Sequence, residues 1–211
     1  MPSAGPDPLA AVAAYYEGKL AQHGETARGV DWNGDQSQII RFEQLCRIIQ
    51  PAGEFSVNDL GCGYGALYDH LARHHRSFSY CGVDISSAMI DAATRRHAGN
   101  GQARFIRASR PDGIADYGIA SGIFNVRLEC DEGAWQEHIE ETIGVLERTS
   151  RFGFAFNCLT SYSDADKMRD YLHYADPRAL FDLCMRRYGR SVALLHDYGL
   201  FEFTILVRKR A

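Results

Sequence analysis

One run of the chain constrains its fold more than any other: Asn58-Asp59-Leu60-Gly61-Cys62-Gly63-Tyr64-Gly65-Ala66, followed by Gly82-Val83-Asp84-Ile85-Ser86. An acid closes an apolar strand, three glycines at alternate positions make a turn, a helix begins at Ala66, and a second short strand ends in another acid. Glycine takes the positive φ values and the close backbone approach that such a turn demands. The helix after it aims its free N–H groups back at whatever sits on the turn. An acid at the tip of the second strand can accept both hydroxyls of a ribose. Asp84 stands 23 residues after Gly61, against about 20 in dinucleotide sites. The pattern is that of a nucleoside site, with Gly61, Gly63, Gly65 and Asp84 as its candidate residues.

Spacing alone leaves the ligand open, because Gly61, Gly63 and Ala66 also satisfy the G-x-G-x-x-G/A dinucleotide pattern. Asp59 discriminates. Two positions before the first glycine, its carboxylate would repel a pyrophosphate at short range, whereas the sulfonium and ammonium of an adenosyl-sulfonium ligand favour it. Asp59 has a second expected role, accepting backbone N–H groups of the turn. At these residues "DLGCGYG" with "GVDIS" resembles motif I and the following acidic motif of the class I S-adenosylmethionine-dependent methyltransferases. The match covers the core from Val57 to Asn125, and the order of the later elements is compatible with the same fold. The resemblance implies an α/β, Rossmann-like, mostly parallel sheet of seven strands in the order 3-2-1-4-5-7-6, the last antiparallel, with helices on both faces. It also implies S-adenosyl-L-methionine as cofactor.

With 211 residues, 45% of them hydrophobic, the chain is long enough for one full core, so a single domain over residues 1–211 is expected. Lys and Arg number 23 against 27 Asp and Glu, a net charge of −4 without long runs of either sign. That balance argues against nonspecific attachment to nucleic acid or membrane. With no apolar run long enough to span a bilayer and no basic-then-apolar leader, a soluble cytoplasmic protein is expected, monomeric or homodimeric. The six cysteines are scattered without a C-x-x-C pair or a histidine at ligand spacing, which points to reduced thiols and to no metal. Cys62, inside the turn, and Cys158, after a strand, are placed to line a pocket.

Apolar spacing predicts helices over Leu9–Gln22 and Ser37–Ile49, the second stopped by Pro51, with a glycine-rich loop carrying Trp32 between them. Residues 1–50 thus read as a helical lid on a core over residues 55–211. Strands and helices then alternate: Phe55–Leu60, a helix from Ala66, Ser79–Asp84, a helix from Ser87, Ala103–Ala108, Tyr117–Phe124, helix Asp131–Glu147, Gly153–Asn157. Such alternation gives a parallel sheet covered on both sides. Helical Arg178–Arg187 follows, then strands Val192–His196 and Phe201–Val207, which pair as a hairpin across Tyr198-Gly199.

For the cofactor, the candidates beyond the glycines, Asp59 and Asp84 are Cys62, Ile85, Ser109, Asn125, Trp32 and Tyr16. Ser109 stands where many relatives carry an acid near the adenine amino group; a hydroxyl still donates and accepts. Trp32, in a loop with few apolar neighbours, can wall a sulfonium by cation–π attraction, and Tyr15, Tyr16, His23 and Arg41 can join it in the lid. For catalysis and the acceptor, the candidates are Asn125, Arg127, Tyr162, His196 and Tyr198, with Asn157, Thr160 and Ser161 beside them. Arg127 reads either as a bidentate fork for an anion or as a loop cation paired with Glu129. His196 suits a general base by chemistry, although hairpin histidines more often pack or face solvent.

The expected function is methyl transfer from S-adenosylmethionine to an O, N or S atom of a small-molecule, anionic acceptor, driven by alignment and water exclusion. The alternatives are an NAD-binding oxidoreductase, a noncatalytic binder of the same nucleoside, and other sulfonium chemistry such as cofactor cyclisation.

Overall fold

The computed structural model describes residues 8–50 and 53–209. The chain runs α1 (Pro8–His23), a 3-10 turn (Ala27–Val30), α2 (Asp35–Cys46), β1 (Phe55–Leu60), α3 (Ala66–His74), β2 (Phe78–Asp84), α4 (Ser87–Arg96) and β3 (Ala103–Arg107). It continues β4 (Ala115–Ala120), α5 (Glu132–Arg148), β5 (Ser150–Leu159), a second 3-10 turn (Ala165–Lys167), α6 (Pro177–Tyr188), β6 (Val192–Leu195) and β7 (Glu202–Arg208). The seven strands form one sheet in the order β3-β2-β1-β4-β5-β7-β6. The first five run parallel to one another, and β7 is antiparallel to both β5 and β6. This is the class I methyltransferase sheet that the motifs imply.

Side chains alternate across a strand, so the buried strands feed two cores. On one face Leu60, Val83, Phe154, Phe156, Phe203 and Ile205 pack against Trp135, Ile139, Ile143 and Leu146 of α5. Those four α5 residues recur at steps of four, four and three, a helical stripe, and each is 0% exposed. Each such side chain contributes about 1.5–3 kcal/mol when fully buried. On the other face Val57, Tyr80, Ile119 and Leu206 meet Phe42 and Leu45 of α2 and Leu67 and Leu71 of α3. Local signals fix the helix starts. Asp131 accepts from the Ala134 N–H at 3.1 Å, Ser86 from Met89 at 3.2 Å, and Asp176 from Arg178 at 2.8 Å ahead of Pro177.

Most boundaries fall within two residues of the sequence expectation, and the larger differences have physical reasons. Strand β4 stops at Ala120 rather than Phe124, because Gly122 turns the chain at φ 75° and frees Phe124 to pack its ring against Phe156. Strand β5 is longer, Ser150–Leu159. Helix α2 ends at Cys46, although Ile48 and Ile49 stay buried beyond it; the expected stop at Pro51 lies outside the described residues. The hairpin pairs as expected, and its connection runs over 196–201, one residue longer at each end than the sequence suggests.

The parallel strands bring the ends of β1, β2, β3, β4, β5 and β6 and the start of β7 to one rim of the sheet. Ligands of open α/β sheets bind at that edge. Among the described residues no helix is long and apolar enough to cross a membrane.

Candidate active site

Gly61, Gly63 and Gly65 take φ values of 76°, 53° and 84°, the left-handed region that glycine enters without a Cβ penalty. The Gly61 and Cys62 N–H groups both donate to the Val83 carbonyl, at 2.7 and 3.1 Å, which ties the turn to the end of β2. A Cβ at Gly61 would overlap Ile123 Cγ2, and one at Gly65 would lie 2.8 Å from His97 Nε2. Asp84, at the tip of β2, clasps the turn from the other side. Its Oδ2 accepts the Gly63 N–H at 3.0 Å and its Oδ1 the Ser86 N–H at 2.9 Å. A carboxylate has about four acceptor positions, so each oxygen can still accept from a ligand. Burial raises the Asp84 pKa, and the hydrogen bonds from Ser86 and Gly63 oppose that rise.

Above the turn lies a cleft that encloses about 840 Å³ of space, its open mouth included. Gly61, Gly63, Asp84 and Ile85 form its floor, and Ala108 and Ser109 extend it beyond β3. Helix α1 closes it with Val12, Ala13 and Tyr16, and the following connection adds Val30 and Trp32. Ser121 to Ile123 after β4, with His138 and Thr142 on α5, complete the wall. Among the described residues the lining carries one acid, Asp84, and neither Lys nor Arg. Burial, with the charges of Asp31 and Asp84 nearby, pushes the Tyr16 hydroxyl pKa up, so it stays a neutral donor. Ser121 Oγ is buried with no hydrogen-bond partner among the described residues. An orphan hydroxyl on a cleft wall, a floor without Cβ atoms and a ribose-type acid with spare acceptor capacity fit a nucleoside ligand.

The structure therefore gathers Tyr16, Trp32, Gly61, Gly63, Asp84, Ile85 and Ser109 on one lining. Other expected residues lie elsewhere. Strand alternation turns Leu60 toward the cleft and Asp59 to the opposite face of the sheet, where Asp59 is 2% exposed. It accepts the Tyr80 hydroxyl rather than turn N–H groups. Cys62 is buried against the Gly63 carbonyl, and burial holds its thiol far above the ordinary range. Gly65 caps α3 behind the turn.

The acceptor candidates are spread along the same rim. Asn125 Oδ1 accepts the Leu159 N–H at 3.0 Å and its carbonyl accepts the His173 N–H at 2.8 Å, joining the β4 exit to β5 and the 171–173 segment. Arg127 spends its guanidinium on the Cys130 and Asp170 carbonyls. Tyr162 is 60% exposed, with the exposed His196 ring 6.1 Å away. Tyr198 meets Thr204 Oγ1 at 3.1 Å, and burial pushes its pKa up. Sequence reading missed Ser121, Gly122, His138 and Thr142. The i, i+4 spacing of His138 and Thr142 on a helix ending beside β4 was the available signal.

Known proteins resemble this chain in sequence and in fold. A family model described as "Methyltransferase domain" matches residues 57–148. The Mycobacterium tuberculosis (strain ATCC 25618 / H37Rv) protein named "Putative methyltransferase Rv1506c" is 61% identical over 163 residues, 77% of this chain and 98% of that protein. The chain belongs to the methyltransferase family. Among solved structures, a complex titled "DhpI-SAM-HEP complex" superposes with a TM-score of 0.69 at 14% identity, covering 98% of this methyltransferase and 100% of that chain. The N-methyltransferase NodS of Bradyrhizobium japonicum WM9, in complex with S-adenosyl-L-homocysteine, gives 0.67 at 15% identity, covering 97% and 100%. Magnesium protoporphyrin IX methyltransferase from Synechocystis PCC 6803, also with that product bound, gives 0.67 at 14%, covering 97% and 100%. At these identities the superpositions show a shared fold.

Proposed function

We propose that the cleft binds S-adenosyl-L-methionine and that the enzyme transfers its methyl group to an O, N or S atom of a small-molecule acceptor. The observation that carries this reading is the hydrogen bond from the Gly63 N–H to Asp84 Oδ2. In a dinucleotide site such turn N–H groups face a diphosphate. Here one is taken by a carboxylate, whose charge disfavours a phosphate beside it and favours a ribose. That argues against the NAD reading. The structural neighbours bound to the cofactor or its product support the same assignment.

Bound there, S-adenosylmethionine supplies a methyl group activated by its sulfonium. Asp84 accepts from the ribose hydroxyls, and Ser121 and Ser109 offer hydroxyl groups to the rest of the nucleoside. Val12, Ile85 and Met89 give the base an apolar enclosure, while Tyr16 and Trp32 exclude water; in this reading residues 8–50 are a lid over a single domain. Rate comes from holding the acceptor in line and dry. A lining that holds no Lys or Arg among the described residues favours an acceptor uncharged at its reacting end over the anionic one suggested by Arg127. The test is incubation of purified protein with methyl-labelled cofactor and a metabolite panel, read by mass spectrometry. Label in a small molecule together with formation of S-adenosylhomocysteine supports the reading; label retained wholly in the cofactor counts against it.

A further inference from the structure

Beside Trp32 runs a buried polar chain that the proposed reaction does not itself use. Arg41 on α2 donates Nε to Glu202 Oε2 at 2.8 Å and Nη2 to Glu202 Oε1 at 2.6 Å. It also donates Nη1 to the Ser37 carbonyl at 2.8 Å. The two side chains are 7% and 1% exposed. Glu202 Oε2 accepts a further bond from Asn157 Nδ2 at 2.6 Å, and Asn157 Oδ1 accepts the Gly122 N–H at 2.7 Å. Both ends of this chain touch one ring. The Arg41 guanidinium carbon lies 3.9 Å from the Trp32 ring centroid, and a Cβ on Gly122 would run into the Trp32 six-membered ring.

A buried ion pair is rarely worth more to stability than apolar residues of the same volume, but it fixes geometry. Here the bidentate carboxylate holds the guanidinium plane on Trp32 by cation–π contact, and Asn157 holds the backbone against which the ring edge rests. Trp32 and Gly122 both line the cleft. We propose that Arg41 and Glu202 are positioning residues that set Trp32 as a wall of the cofactor cleft, in register with Gly122. This rests on the cofactor reading above for its effect on binding, but not for its effect on the ring.

The test uses the full chain. It has two tryptophans, and Trp135 is fully buried with its indole N–H on the Phe124 carbonyl, so acrylamide quenching reports chiefly on Trp32. Arg41→Lys keeps the charge and loses the fork. Its quenching constant should rise about twofold or more, and its affinity for S-adenosylhomocysteine should fall roughly tenfold. In a Trp32→Ala background the same substitution should change affinity by less than about twofold, because its effect passes through the ring. A cooperatively melting Arg41→Lys with wild-type quenching, or one whose affinity loss persists undiminished without Trp32, overturns the proposal. Should Arg41→Lys fail to fold, Glu202→Gln carries the same two comparisons. Failure of S-adenosylhomocysteine to bind the wild type would sink the cofactor reading, while the quenching comparison would still decide whether Arg41 holds the ring.

Discussion

Tyr80 on β2 donates its hydroxyl to the Asp59 carboxylate on β1 at 2.5 Å, with both residues 2% exposed. Burial raises the Asp59 pKa to about 7 from its ordinary 3.8; the Tyr80 bond opposes the rise and the nearby Asp84 charge adds to it. Between those two values the unfolded chain gives up the proton while the folded chain keeps it. The stabilising contribution is therefore complete below the lower value and lost as pH rises through the upper. Asp59→Asn, which keeps an acceptor for Tyr80, should remove this dependence. Melting temperatures from pH 4 to 8 should show the variant gaining on the wild type as pH rises. Parallel curves across that window would mean that Asp59 is ionised throughout.

Gly61→Ala tests the turn. Its φ of 76° costs a residue with Cβ about 1–2 kcal/mol, and the new methyl overlaps Ile123, itself on the cleft wall. Cofactor affinity should fall by roughly tenfold or more, since about 1.4 kcal/mol is one decade. Adding Ile123→Ala should recover part of that loss. Wild-type affinity in Gly61→Ala, measured by calorimetry, would mean that the turn is not packed as described.

Arg127 separates an anion fork from a structural clamp. Its guanidinium bonds tie the loop after β4 to the Cys130 and Asp170 carbonyls, so Arg127→Ala should cost about 1–2 kcal/mol in a denaturant melt. Affinity for S-adenosylhomocysteine should stay within about twofold. Unchanged stability with a tenfold or greater loss of turnover, once an acceptor is known, would instead make Arg127 an acceptor ligand.

The glycine turn and the strand tip that line the candidate cofactor cleft were legible because their chemistry is local. Gly61, Gly63, Asp84 and Ile85 sit in two short runs whose residue types dictate a turn and a strand tip, and alternating apolar runs gave the sheet order through the family resemblance. Asp59 was harder. It shares a strand with the turn, and only the two-residue side-chain period decides that Leu60 rather than Asp59 faces the cleft. Ser121 was hidden because β4 ends earlier than its apolar run, at a glycine whose φ the sequence does not display. The Arg41–Glu202 pair spans 161 positions, and nothing local to either residue names the other. The acceptor candidates lie along one rim of the sheet, but whether a polar side chain there faces a ligand or a neighbouring carbonyl is set by tertiary packing.

The most direct measurement of the central claim is calorimetric titration of the wild type and Asp84→Ala with S-adenosylmethionine and, separately, NAD. Each Asp84 oxygen already holds one backbone N–H, from Gly63 or Ser86, and has acceptor capacity left for a ribose. The wild type should bind S-adenosylmethionine and not NAD. A folded Asp84→Ala should lose about 1.5–3 kcal/mol of that binding, the range for hydrogen bonds to a charged partner, or roughly one to two decades in Kd. Binding of NAD in place of S-adenosylmethionine, or equal S-adenosylmethionine affinity in the two proteins, would contradict the account.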